Sequence, residues 1–492
     1  MEIIQVGLLI LVFILMAVLM FLRKLPALIA LPLLAVLVAL IGGIYPADIV
    51  QYVIGQGALK LNNAYTVAMF GSMLSVILQK TGVAESFIKK GAELSGDNPW
   101  IIAVIMLALI TLLFSTLGGL GAIIMVATIV LPIMSSVGIG SMTSVGIFLL
   151  GLSIGGILNV GNWAVYVSVM GLSIDQIRPY ALIMFTLSVC MAIAYITIQL
   201  YRDGQDINLK KVISGSLLTI AALLILFLLY YFILDLNLKR LINDSLQLLD
   251  YILTWSVAVF IIILFVLGII RLLSGTAEKE KEVYWITYFI PVIPLFLILL
   301  FKIDFIAAFI VGIVYAFLST YKKGRLNLFI QSCFEGGGLV MPAVVLMFGI
   351  GMLLVAIMGP GIKLNQYPNG WPVINLLKPL MQIIVPGSAL MYIITFTAAA
   401  PLALYRGPLN VWGMGYGMAA VFLASGLNPG AVMGLLLAVG QIQGISDPTN
   451  THNVWLANEM RVDVQKVLWN TIPYTWFVAF LGIIVSAIMF MI

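Results

Sequence analysis

The sequence predicts an all-α polytopic membrane protein of about 12 spans, arranged as two inverted repeats with re-entrant hairpins and broken helices. Three observations carry this. The first is composition: of 492 residues, 63% are hydrophobic and 9% charged, with a mean hydropathy of +1.18, whereas a soluble domain carries about 25% charged residues. The second is spacing: apolar runs of about 20 residues, the length that crosses a bilayer, alternate with short loops holding most of the 24 Lys and Arg. The third is recurrence, since short patterns of the first half return in the same order in the second. Composition also excludes other classes. The net charge of +5 sits in juxtamembrane loops, where it sets orientation, and gives no basis for nucleic-acid binding. Cys190 and Cys333 lie in or beside apolar stretches, which rules out a disulfide framework or a zinc site. A single histidine, His452, removes multi-histidine metal chemistry.

The elements follow in order. The run Ile3–Leu22 reads as a span and not a signal peptide, because its positive pair, Arg23-Lys24, follows the apolar run instead of preceding it. Spans near 25–44 and 63–80 come next. A long apolar region near 100–138 is interrupted by Phe114-Ser115-Thr116-Leu117-Gly118-Gly119-Leu120-Gly121, which reads as two crossing helices or as one re-entrant hairpin of two half-length arms, with the same loop orientation either way. Spans near 144–171, 178–201, 212–234 and 250–274 follow, and the first of these is broken around Asn159-Val160-Gly161-Asn162. Beyond them lie spans near 284–301, 303–320 and 340–358. A second interrupted region near 376–425 breaks at Ala398–Pro401 and at Arg406-Gly407-Pro408. The segment 430–456 breaks at Asp447-Pro448-Thr449-Asn450, and 466–491 closes the chain. Non-helical backbone at membrane depth survives only where protein or a water-filled cavity satisfies it, so each break is a candidate site. The predicted organisation is a first repeat over 1–201, connecting spans over 202–283 and a second repeat over 284–492.

Charge tests the count. With both hairpins re-entrant, one side of the membrane collects 16 Lys and Arg, including Lys89, Lys90, Lys279 and Lys281; the other collects 7, including Lys239 and Arg240; Arg406 remains inside the second interrupted region. The positive-inside rule places the first side in the cytoplasm and both termini outside, in a cell membrane of the bacterial inner-membrane type. Single cysteines at Lys89 and Lys239 are therefore expected to label from opposite faces with an impermeant maleimide. Labelling from the same face would refute the count.

The repeat rests on several matches. Met69-Phe70-Gly71-Ser72-Met73-Leu74 resembles Met347-Phe348-Gly349-Ile350-Gly351-Met352. Further on, Asn159 and Asn162 align with Asp447 and Asn450, and Ile174-Asp175-Gln176-Ile177-Arg178 aligns with Val462-Asp463-Val464-Gln465-Lys466, all at an offset of 288. Inverted repeats with broken helices are a design of secondary transporters, with the site near the midplane.

Half-helix N-termini offer free N–H groups and partial positive charge to an anion. Ser115, Thr116 and Thr397 add hydroxyls at the hairpin tips, and Gly118 and Gly119 bring backbone close. Asn162 and Asn450 flank the breaks. Arg406 is the one charge between the two arms of the second interrupted region. Such a charge costs about 2.5–3.5 kcal/mol on insertion scales, and its planar fork suits a carboxylate. Asn159, Asp447 and Thr449 offer oxygen ligands for a coupling ion, with Na⁺ at Asn159 and Asp447 or a proton on Asp447 as the alternatives. His452 reads as a local hydrogen bonder, Glu335 as a loop acid, and Gly336–Gly338 as a packing surface, since no Lys-Ser/Thr follows it.

The order of features resembles the ion transporter superfamily, which holds the gluconate permeases, citrate carriers and divalent anion symporters. Phe70-Gly71-Ser72-Met73-Leu74 with Thr81-Gly82-Val83-Ala84 is similar to the third span of gluconate-type and citrate-type permeases and its exit. Asp447-Pro448, Trp455-Leu456 and Val464–Lys466 are similar to the Asp-Pro segment and final loop of gluconate permeases. The resemblance implies an elevator mechanism, with hairpins and broken helices moving against a scaffold that is usually a homodimer. The Ser-Asn-Thr hairpin signature of the divalent anion branch is absent, so its dicarboxylate specificity and sodium sites do not carry over.

The expected function is a symporter of a small organic anion, a carboxylate such as gluconate, citrate or a dicarboxylate, coupled to H⁺ or Na⁺ and using no other cofactor. The expected partners are that substrate, the lipid bilayer and a second copy of the chain. The alternative within transport is a Na⁺/H⁺ antiporter, which needs no fork for an anion. A membrane enzyme would need clustered acids, His or Cys at one face, and the sequence shows none, so the chain reads as a non-enzyme.

Overall fold

The computed structural model describes residues 2–22, 24–206, 209–274 and 283–492; Arg23 and the polar stretch Thr276–Glu282, placed in the cytoplasm by the charge count, lie outside them. The described residues are helical, with no strand, and eight helices are long and apolar enough to cross a membrane. This is a polytopic membrane protein. Helix starts are marked by local chemistry. Asn98 accepts from the N–H groups of Trp100 and Ile101 ahead of Pro99–Phe114, Asn428 accepts from Gly430 N–H ahead of Pro429–Ser446, and Asp304, Ser388 and Asp463 act in the same way. Each cap satisfies a donor that the first helical turn leaves free.

Several elements differ from the sequence expectation. The second hairpin is shorter than 376–425. Pro386-Gly387 end the preceding helix, Pro372–Ile384, and Ser388 starts a new one, so the arms are Ala389–Ala403 and Val411–Ala424. The span near 63–80 belongs to a longer helical run, Pro46–Lys80, that contains a π-helical stretch at Ile49–Gln56. The span near 250–274 begins earlier, as the 39-residue helix Leu236–Ser274. At 1.5 Å per residue it is about 58 Å long, nearly twice the hydrocarbon thickness of about 30 Å. Its first part carries the charged residues Lys239, Arg240 and Asp244.

The chain divides into two compact units. The first comprises 1–69, 161–184 and 340–492; the second comprises 70–160 and 185–339. In the first unit the helices Pro429–Ser446 and Val464–Phe490 approach so closely that a Cβ on Gly434 would overlap Ser486 Oγ. Tyr180 Oη donates to the carbonyls of Gly434 and Gly482 at 2.8 and 3.0 Å, and Tyr392 Oη donates to Ala431 O at 2.7 Å. The loop after Met358 is tied down in the same unit. Buried Asp48 accepts from Gln366 Nε2 at 2.8 Å and from Tyr367 Oη at 2.7 Å. Burial and the bond to Asp48 push the Tyr367 hydroxyl up to about 12, so it remains a donor across the physiological range.

In the second unit the first arm of the first hairpin, Pro99–Phe114, packs on Ser141–Leu158 through glycines. A Cβ on Gly151 would meet Ile110 Cβ at 2.8 Å, and one on Gly155 would meet Thr111 O at 2.6 Å. Backbone cannot yield as a flexible side chain can. Gly155→Ala is therefore expected to destabilise the protein by about 1–3 kcal/mol, the range for overpacking, and a thermal melt of the purified variant checks this.

The elements of 99–202 and 387–490 correspond one to one. Ser141–Leu158 and Pro429–Ser446 start and end at the offset of 288 that relates the sequence motifs. The hairpin arms, the short helices Val160–Met170 and Thr451–Glu459, and the long helices Ile174–Arg202 and Val464–Phe490 correspond at the same offset to within three residues.

Candidate functional site

Each of the two units holds a helix break that offers a candidate site of its own. In the first unit, helix Pro429–Ser446 ends at Asp447, whose backbone is extended, and the chain restarts at Thr451. Asp447 is fully buried. Its Oδ1 accepts from Thr449 N–H at 2.9 Å, Thr449 Oγ1 at 2.7 Å and Tyr405 N–H at 3.1 Å, while Oδ2 accepts from Asn410 Nδ2 at 3.1 Å. Four donors from the break and from the tip of the second hairpin thus meet one carboxylate. Asn410 also donates to Ala403 O at 2.8 Å, and Gln443 Oε1 accepts from Val411 N–H at 2.7 Å, so both sides of the tip are fastened to the broken helix.

This fastening explains an unusual backbone. Tyr405 and Arg406 are both left-handed, with φ of +53° and +56°, a conformation that non-glycine residues rarely adopt. It turns Tyr405 N–H toward Asp447, and Tyr405 Oη reaches Gln465 Oε1 at 3.0 Å. Gly407 follows because a Cβ there would overlap Leu402 O. The outcome is that Arg406 stands at the tip, half-buried, and its guanidinium makes no hydrogen bond or ion pair among the described residues. Arg406 and Asp447 both lie close enough to His452 to act on its charge. A half-buried, unpaired guanidinium whose neighbouring carboxylate is already hydrogen-bonded to other donors can bind an anion, and its fork matches a carboxylate.

Thr397 sits on the first arm of this hairpin. Its carbonyl accepts from Trp476 Nε1 at 2.9 Å, and its Oγ1 is buried without a partner among the described residues. Asn450 stands at the start of the restarted helix without a capping bond from its side chain, and donates from Nδ2 to Gln443 O at 2.6 Å. Thr449 spends its hydroxyl on Asp447. His452 Nε2 faces Gly444 O at 3.3 Å, the local role read from the sequence.

In the second unit the corresponding break is Asn159, which the repeat offset sets against Asp447. Its Nδ2 donates to Phe114 O at 2.9 Å and Leu117 O at 3.1 Å, at the tip of the first hairpin. The same offset sets Leu117 against Tyr405. The two breaks therefore hold corresponding points of their hairpins with opposite polarity: the Asn159 amide gives hydrogens to a carbonyl, and the Asp447 carboxylate takes them from an N–H. Ser115 Oγ donates to Leu112 O at 2.7 Å and Thr116 Oγ1 to Leu113 O at 3.4 Å, so both hydroxyls spend their hydrogens on their own helix and are left as acceptors. Gly119 has φ of +86° and ψ of 158°, a conformation reserved for glycine, and a Cβ on Gly118 or Gly119 would meet nothing within 4 Å. Asn162 lies in the first unit and Asn159 in the second. Glu335 pairs with Lys80 in the second unit, while Gly336 packs against Met73, whose Cα would lie 2.5 Å from an added Cβ, the packing role expected of that stretch.

The fit to Na⁺ differs between the breaks. The carbonyls of Phe114 and Leu117 are taken up by the Asn159 amide. At the second break, Asp447 Oδ2 has a single donor, and Asn453 Oδ1 is buried with none among the described residues, while Asn453 Nδ2 bonds Ile445 O and Asp447 O at 3.0 and 2.9 Å. Carboxylate and carboxamide oxygens suit a hard cation. No group of three or more His, Cys, Asp or Glu able to hold a metal occurs among the described residues.

Sequence reasoning missed Asn410, Gln443 and Asn453. All three are buried polar side chains within apolar segments, and their cost at membrane depth was the available signal. No protein-family profile matches the chain, and no curated protein matches it.

Proposed function

We propose that the protein is a secondary active transporter of a small organic anion, a carboxylate, driven by a cation gradient. The observation that carries this reading is Arg406, a guanidinium without a protein partner among the described residues, held at the tip of a hairpin by consecutive left-handed residues. Backbone strain of this kind costs about 1–3 kcal/mol per residue and persists where the surroundings over-determine it. Arg406 takes the carboxylate, with Thr397 and Asn450 beside the same hairpin and break. Asn162, in the same unit, is a further polar candidate; Ser115, Thr116, Gly118 and Gly119 stand at the first hairpin, in the second unit. Asp447 with Thr449 forms the coupling centre, and its free oxygen capacity together with Asn453 Oδ1 favours Na⁺ over a proton. Asn159 serves its hairpin tip instead.

The matching of elements at an offset of 288 supports an internal repeat. Two glycine contacts fall at corresponding places of that repeat. In the first unit a Cβ on Gly351 would overlap Gly57 O, and in the second unit Gly336 meets Met73. Gly57 corresponds to Gly336 and Met73 to Gly351 at offsets of 279 and 278, so the two contacts join equivalent segments, while the inversion rests on the alternation of spans read from the sequence. An inverted repeat with broken helices supports alternating access, and the elevator form, the homodimer, a cell-membrane location and outward termini complete the proposal. A thermal-shift screen of the purified protein against mono-, di- and tricarboxylates, with and without Na⁺, tests it. Stabilisation by a carboxylate that grows with Na⁺ is expected. No response to any carboxylate under either condition would defeat the reading.

A further inference from the structure

In the second unit, helix Ser141–Leu158 and the last turns of Ile174–Arg202 run antiparallel. Gly140 N–H donates to Asp203 Oδ2 at 2.8 Å, and a Cβ on Gly146 would overlap Tyr195 Oη. At about 100° per residue, Thr143 points midway between those two contacts on one helix, and Gln199 holds the midway position on the other. This register sets the two residues opposite one another on facing sides of the helices, and their side chains are 1% and 3% exposed. Yet Thr143 Oγ1 and Gln199 Nε2 have no hydrogen-bond partner among the described residues, and neither does Oγ of the adjacent, fully buried Ser144.

We propose that internal water binds between Thr143 and Gln199, reached from the exposed carboxylate of Asp203. Buried polar atoms without partners are costly, and this packing does not require polar atoms. At the corresponding helix pair of the first unit, the repeat offset replaces Thr143, Ser144 and Gln199 by Ala431, Val432 and Ala487, all buried and apolar. The polar set is therefore an addition to a geometry that apolar side chains can fill. Its chemistry selects water over an ion. Gln199 Nε2 is a donor and repels a cation, whereas the Asp203 carboxylate one turn away repels an anion. A water can accept from Gln199 and exchange hydrogen bonds with the hydroxyls of Thr143 and Ser144, within the two to four partners that buried waters take. The inference is independent of the transport reading.

The double variant Thr143→Val/Gln199→Met keeps side-chain volume and removes both polar groups. With water bound, it leaves a void and loses the bridging bonds, so the melting temperature of the full-length purified protein should fall by several degrees. The conservative Thr143→Ser should stay near wild type, and Thr143→Val alone serves if the double variant expresses poorly. A high-resolution cryo-electron microscopy map of the wild type should show separate density within hydrogen-bonding distance of both Thr143 Oγ1 and Gln199 Nε2. A melting temperature that is unchanged or raised in the apolar variants, or a map with the two atoms bonded directly, would overturn the proposal.

Discussion

Arg406→Ala is expected to abolish carboxylate binding, and Arg406→Lys to weaken it on the order of 100-fold, in both cases without a fall in melting temperature. The guanidinium makes no bond among the described residues that its removal would break, so the structural cost is small. The functional cost is that of a charge-assisted, two-pronged hydrogen bond in a half-buried setting, about 1.5–3 kcal/mol for each bond to a charged group. Lysine keeps the charge but not the fork, so it retains part of the affinity. Isothermal titration with the carboxylate that stabilises the wild type most, together with melts of the three proteins, separates site from scaffold. Normal binding by Arg406→Ala would show that the residue faces solvent and serves no substrate.

Asp447→Asn is expected to have the opposite profile, losing stability and transport together. Three donors converge on Oδ1 and one on Oδ2. An amide at this position must turn its own hydrogens against at least one of them. Loss of charge-assisted bonds in a fully buried site costs about 3 kcal/mol, and the donors left behind include Tyr405 N–H, whose bond holds the left-handed tip. The variant should melt several degrees lower, lose stabilisation by Na⁺, and fail in both gradient-driven uptake and substrate exchange in proteoliposomes. Retained exchange at an unchanged melting temperature would assign Asp447 to ion coupling alone and remove its role in holding the tip. Normal gradient-driven uptake would remove the coupling role as well.

The reversed polarity at the two breaks gives the halves of the chain different duties. Asn159 donates to two carbonyls of the first hairpin and closes them off. Asp447 accepts from Tyr405 N–H at the second tip, next to Arg406.

Composition and apolar run length determined the class and the helical architecture, because a chain with 9% charged residues satisfies its backbone in lipid only by helices or a closed barrel, and the runs have helical length. Short motifs located both breaks, since Gly, Pro, Asn and Asp interrupt apolar segments visibly. The tertiary structure decided the partners. Asn410 lies 37 residues from Asp447 in sequence and Val411 lies 32 from Gln443, and only folding brings each pair together. It also decided that Ser115, Thr116 and Thr449 use their hydroxyl hydrogens locally while Arg406 does not, and that the second hairpin begins at Ala389 and not near 376. A side chain's type states which bonds it can make. Which of them it makes depends on what the backbone of a distant segment offers at about 3 Å, and hydropathy and spacing carry no record of that.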